Sequence, residues 1–268
     1  MKAKIAIKEP VKFVTIDCGE NKFLQEVVDE INQDPEIRTL WRITSVMAIR
    51  RMNMTDHGIL HFNIVANNAL AIARLLLKRN FSLSITKDYG LLAEDAELVV
   101  VLASLLHDLG MSVHRINHEE FSVVLAQRLL ERLLAKLPVE KRTIIISEIL
   151  HAIFSHRSEG HPLTLEAGIV RVADALDMSG GRSRIPYDNK KMDIHSVSAM
   201  AIDDVEIKPG HNFPVQIEIT MNHTAGLFQV DQFLQKKIVE SQIDRYLQVL
   251  IFINKDGKKQ LFKDFYRR

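Results

Sequence analysis

One cysteine, Cys18, in 268 residues leaves nothing for an internal disulfide to pair with. The fold must therefore rest on packing, and a reducing, cytoplasmic setting is expected. The same scarcity excludes an all-thiolate metal cage. An excess of charge of one sign is also missing, since 35 Lys and Arg against 34 Asp and Glu leave a net +1. So balanced a total gives no support to nucleic-acid binding or to a polybasic membrane anchor, although a local patch could still take an anionic ligand. Long apolar runs are absent. The longest, Leu98 to Ala103, is far short of the roughly 20 residues a bilayer requires, and Met1-Lys2-Ala3-Lys4-Ile5 carries no apolar signal core, so no membrane partner is expected. No Gly-x-Gly-x-x-Gly, P-loop or nucleophile-elbow pattern occurs, which leaves nucleotide-driven and acyl-serine chemistry without a foothold. There is no internal repeat and no low-complexity tract.

What is present fits an ordinary globular chain, with 47% hydrophobic and 26% charged residues and room for one domain of usual size plus a smaller one. Residues 1–20 alternate loosely around Ile5, Ile7, Val11, Phe13 and Ile16, the mark of one or two short strands or a packed arm. From Asn21 the period becomes helical. Helices are expected from Asn21 to Asp34, Glu36 to about Met52, and Gly58 to about Arg79 behind a Thr55-Asp56 cap. The next runs from a start capped by Asp95 to Gly110, a residue suited to a C-terminal cap, and three more cover about 118–136, 139–156 and 163–178. After Ser179-Gly180-Gly181 the texture changes. Strand alternation marks 192–197, 205–207 and 215–219, a helix follows over about 230–247, then a strand over 249–253 and a hairpin turn at Asp256-Gly257. The expectation is a mainly α protein: an N-terminal strand or arm over 1–20, an all-helical bundle over 21–181, and a small α+β domain over 182–268.

His107 and Asp108 end the most apolar helix, in Leu105-Leu106-His107-Asp108-Leu109-Gly110. Burying an ionisable aspartate there is costly unless it is paired or bound to a metal. A neutral imidazole beside a carboxylate is suited to a hard-to-borderline divalent cation. His61, His118, His156 and Asp174 lie on other helical stretches and could face the same interior. Asp174, in an apolar helix, could instead pair with Arg171 three residues earlier.

In order and approximate spacing, His61, His107-Asp108 and Asp174 resemble the HD-domain metal-dependent phosphohydrolases. The local contexts agree: His-x-x-x-Val-Ala after His61, His-Asp-Leu-Gly at 107–110, and Ala-Asp-Ala-Leu-Asp at 173–177. The resemblance covers roughly residues 50–180 and implies an all-helical domain whose one or two divalent ions activate water against a phosphate ester. Carried over by position, His61, His107, Asp108 and Asp174 hold the first ion. Asp108 bridges in two-metal versions, and His118 and His156 take the place of the extra ligands, which makes Asp108, His118 and His156 the catalytic candidates. Six ligands are too many for one ion that keeps positions open, so two are expected. Imidazole and carboxylate together suit Mn²⁺, Fe²⁺, Ni²⁺, Co²⁺ or Zn²⁺ better than Ca²⁺. Arg157 and Met111 stand where the HD-GYP branch carries histidine and lysine, and its Gly-Tyr-Pro signature is absent, so cyclic di-GMP hydrolysis is not expected.

Four residues are candidates for substrate contact. His57 could orient a ligand, touch substrate, or simply start a helix. Arg157, Arg182 and Arg184 offer guanidinium forks for phosphate oxygens or an ordinary solvated surface, with Gly180-Gly181 allowing close approach to the last two. The expected substrate is a phosphorylated, nucleotide-like small molecule. The competing readings are a non-catalytic nucleotide-binding regulator, with the C-terminal domain relaying the signal or forming a homo-oligomer, and an iron-oxygen oxidase on the same ligands.

Overall fold

Asparagine and aspartate side chains start the first two helices. The structure, a computed structural model, describes residues 13–157, 160–179, 198, 200–255 and 258–264. Asn21 Oδ1 accepts from Leu24 N at 3.1 Å to open α1 (Lys22–Gln33). Asp34 Oδ1 accepts from Glu36 N and Ile37 N at 2.8 and 3.0 Å to open α2 (Pro35–Ser45), with Pro35 at the first position, where its missing N–H costs little. The expected single helix to Met52 changes winding at Val46, where a π-helical stretch runs to Arg51. Then come α3 (Ile59–Lys78), α4 (Ser84–Tyr89), α5 (Ala93–Leu106), a 3₁₀ turn (Leu109–Ser112), α6 (His118–Leu133), α7 (Val139–Ser155) and α8 (Leu165–Ala175). The short α4 was not expected from the sequence.

Helix α5 is buried on every side from Leu98 to Leu106, which explains its uniformly apolar sequence, and α3, α7 and α8 pack around it. By length and hydropathy α3 could cross a bilayer, but half of its most apolar stretch is buried inside the protein. The N-terminal alternation continues as an arm. Val14, Ile16 and Cys18 are buried, and side-chain amides do the pairing: Asn32 bonds both Val14 N and Val14 O at 2.9 Å, and Asn63 Oδ1 accepts from Thr15 N at 2.6 Å.

The C-terminal part holds β1 (Ile202–Pro209), β2 (Val215–Met221), a helical stretch α9 over 227–239, β3 (Leu247–Lys255) and β4 (Lys258–Asp264), in sheet order β1-β2-β3-β4. The pair β2–β3 is parallel, so α9 is its crossover, and the outer pairs are antiparallel. Lys255 pairs with Lys258, the register of a two-residue hairpin, while Asp256 and Gly257 themselves lie outside the described residues, as does the expected strand at 192–197. The expected helix over 230–247 stops at Val239, with a 3₁₀ turn at Asp244–Tyr246. The bundle followed by a small α+β unit is thus the observed architecture. Val215, Ile217, Ile219, Val249 and Ile251 join the helical residues in one hydrophobic cluster. A Cβ on Gly168 of α8 would lie 1.7 Å from Ser241 O, so this glycine allows α8 to meet the chain after α9.

Candidate metal centre

The end of α5 is held from outside the helix. Trp41 Nε1 donates to Leu105 O at 2.9 Å, stacks on Phe62 at 5.7 Å, and Phe62 meets the His107 ring edge-on at 5.6 Å. Gly110 does not form the left-handed cap expected of it. A Cβ there would lie 1.9 Å from His118 O and 2.6 Å from Ser122 N, so its role is close approach, and it lets the start of α6 bring His118 against His107-Asp108. His156 arrives at the end of α7 and Asp174 near the end of α8. All six expected ligands are brought together and are buried, the most exposed being Asp174 at 9%.

Tautomers follow from the hydrogen bonds. His107 Nδ1 faces Ser104 O at 2.8 Å, His118 Nδ1 faces Arg115 O at 3.0 Å, and His156 Nδ1 faces Ile153 O at 2.6 Å. A carbonyl oxygen only accepts, so in a neutral ring each Nδ1 carries the proton and each Nε2 keeps a lone pair. His61 Nδ1 likewise donates to Asp177 Oδ2 at 2.6 Å. The Nε2 atoms then converge in two pairs, His61 with His107 at 3.2 Å and His118 with His156 at 3.3 Å. Lone pairs at that distance repel unless a cation lies between them.

Asp108 stands between the pairs. Its Oδ2 lies 3.7 Å from His61 Nε2 and 3.6 Å from His107 Nε2, and its Oδ1 lies 3.0 Å from His118 Nε2 and 3.5 Å from His156 Nε2. Oδ1 is buried without a hydrogen-bond donor, because the nitrogen nearest it is itself an acceptor when His118 is neutral. Asp174 Oδ1 completes the first group, 3.4 Å from His61 Nε2 and 3.8 Å from His107 Nε2. Two sets of donors, His61-His107-Asp108 and Asp108-His118-His156, could each hold an ion. Their imidazole and carboxylate chemistry fits a borderline divalent metal.

Electrostatics agree with that use. Burial pushes His107 down to about 3, so it stays a neutral ligand beside Asp108. For Asp108 burial works upward, but the surrounding imidazoles of His107, His118, His156 and His57 outweigh it and hold the carboxyl well below the usual range. Burial also lowers His118, yet Asp108 more than reverses this and raises it: when no metal is bound, a proton is the cation that Asp108 draws in.

The other candidates divide. His57 precedes α3, so it does not share a helical face with His61, yet its Nε2 lies 3.9 Å from Asp108 Oδ2 and it is buried beside the first group. Arg157 donates to Glu119 Oε1 at 2.9 Å, next to His118. Arg182 and Arg184 lie outside the described residues. The Arg171–Asp174 pair considered from the sequence is replaced. Arg171 turns to the carbonyls of Ser155, Arg157 and Gly160 and to Glu240, and Asp174 Oδ2 pairs with Lys237 of α9. Asp177 and Lys237 were missed as site residues. Asp177 stood in the quoted Ala-Asp-Ala-Leu-Asp run, whereas nothing near Lys237 signals its partner 63 residues earlier.

The HD domain profile matches residues 61–179, a span that begins at His61 and contains all six expected ligands. An uncharacterized protein of Methanocaldococcus jannaschii is 40% identical over 239 residues, 89% of this chain and 92% of that protein. Signature, fold and geometry coincide, and the chain belongs to the HD-domain family.

Proposed function

We propose that this protein is a metal-dependent phosphohydrolase that cleaves a phosphate mono- or diester of a nucleotide-like small molecule. The observation that carries the reading is the division of Asp108, with one carboxylate oxygen facing His61 and His107 and the other facing His118 and His156. These residues would hold a pair of divalent ions, which would supply hydroxide at neutral pH and positive charge for the phosphoryl oxygens. The chain's own residues do the positioning. Asp177 and the carbonyls of Ser104, Arg115 and Ile153 fix the four rings so that every Nε2 faces inward. Asp108 and Asp174 give the cluster its negative charge, and the apolar packing of α5 keeps bulk water from it. His57 stands on the Oδ2 side, in reach of a ligand held there.

Purified protein loaded in turn with Mn²⁺, Fe²⁺, Ni²⁺, Co²⁺ and Zn²⁺ should hydrolyse a nitrophenyl phosphate ester or members of a nucleotide panel. Asp108→Ala should lose metal and turnover together while keeping its helicity. Folded wild-type protein inert across all metals and substrates, or a fully active Asp108→Ala, would overturn the reading.

A further inference from the structure

The sheet unit reaches the metal centre through α9. Its Lys237 pairs with Asp174 Oδ2, and Glu240, the residue that ends it, pairs with Arg171 Nη2. Residues 171 and 174 are three apart on α8, 237 lies on α9 and 240 just past its end, and the pairing runs in opposite directions along the two segments. Charges are reversed between the rungs, so sliding α9 by one turn breaks both pairs. Arg171 is fully buried and also binds the carbonyls of Ser155, Arg157 and Gly160 around His156. Lys237 is therefore held one carboxylate away from the first group of ligands, since Asp174 Oδ1 faces His61 and His107.

We propose that Lys237 contacts a phosphoryl oxygen of the substrate, and that the C-terminal unit supplies it. The inference rests on the phosphohydrolase reading above. A cluster meant only to hold cations gains nothing from an ammonium on the outer oxygen of one ligand, because like charges a few ångströms apart weaken each other's binding. The arrangement is favourable once an anion joins the cations. An ammonium has three donors, and one contact with Asp174 leaves capacity for a phosphate oxygen. With its side chain 16% exposed, Lys237 lies between the buried cluster and solvent.

The test uses the full chain loaded with Mn²⁺ and measures inorganic phosphate affinity by calorimetry, with metal content and metal affinity measured on the same samples. Lys237→Met should weaken phosphate binding about 10- to 100-fold, as expected for loss of a charged hydrogen bond. Lys237→Gln, which keeps a donor for Asp174 and guards against a misfolded Met variant, should show a similar loss. Lys237→Arg should retain most of the affinity. Lys236→Met, on the exposed side of α9, should match the wild type, and metal content should stay constant throughout. Phosphate affinity within twofold of wild type in the Met and Gln variants would overturn the proposal. So would a phosphate loss explained by lost metal, which would make Lys237 a support for Asp174, or a wild type that binds no phosphate. A wild type that binds phosphate but cleaves no ester would defeat the phosphohydrolase reading and leave the Lys237 contact standing.

Discussion

Replacing Asp177 by Asn changes the bond to His61 while preserving the shape of the side chain. Asp177 Oδ2 accepts the Nδ1 proton of His61 at 2.6 Å, and the residue is 3% exposed, so water has little access to replace it. Asparagine can still offer its carbonyl oxygen, but the bond becomes neutral. A charge-assisted hydrogen bond contributes about 1.5–3 kcal/mol and a neutral one about 0.5–1.5, so the loss is about 1–1.5 kcal/mol. Since about 1.4 kcal/mol is a factor of ten, the metal held by His61 and His107 should bind about tenfold more weakly, the low end of what lost support for a ligand costs. Competition against a chelator of known Mn²⁺ affinity, fitted with two sites, reads this directly. The His118–His156 site shares only Asp108 with the first and should change less than about threefold. Equal weakening at both sites, or none at either, would refute the assignment of Asp177 as the group that orients His61.

Two further substitutions test how the fold builds the centre. Gly110→Ala forces a Cβ to 1.9 Å from His118 O, a backbone atom that cannot move cheaply, and should destabilise the protein by more than about 3 kcal/mol in thermal unfolding and empty the His118–His156 site; wild-type melting and metal content would contradict it. Glu166 is fully buried and accepts from Ile85 N at 2.9 Å and Ser84 N at 3.1 Å, so Glu166→Gln, with one acceptor oxygen, should cost about 1–3 kcal/mol. Burial raises the Glu166 carboxyl above the usual range against those two donors, so its charged form costs stability at neutral pH and that cost fades as protonation begins. Wild type should therefore gain on the Gln variant as the pH falls from about 7 to 5, and a gap that narrows would count against this account.

Much of the architecture was legible because its causes are local. Helical period and short-range caps at Asn21, Asp34 and Asp95 mark the starts of α1, α2 and α5 within a residue or two. The ligands stood out because each interrupts an apolar helical stretch or stands at the start or end of a helix. What stayed hidden depends on distant partners. Helix α4 is only six residues long and its first N–H groups are satisfied by Glu166, up to 82 residues along the chain. The arm at Val14–Cys18 mimics a strand in period, but Asn32, Asn63 and Arg74 take the place of a neighbouring strand. Gly110 reads as a cap in sequence and proves to be a contact point, because the approach of α6 is a tertiary fact. Lys237 and Glu240 have no local signal, since their meaning comes from α8 packing on α9.

The central claim is that Asp108 divides the ligands into two ion sites, and an anomalous-scattering map of crystals soaked in Mn²⁺ tests it most directly. The account predicts two peaks, one beside the Nε2 atoms of His61 and His107 with Asp174, the other beside those of His118 and His156, with Asp108 reaching both. A single peak at the first group, with His118 and His156 more than about 6 Å from it, would contradict it.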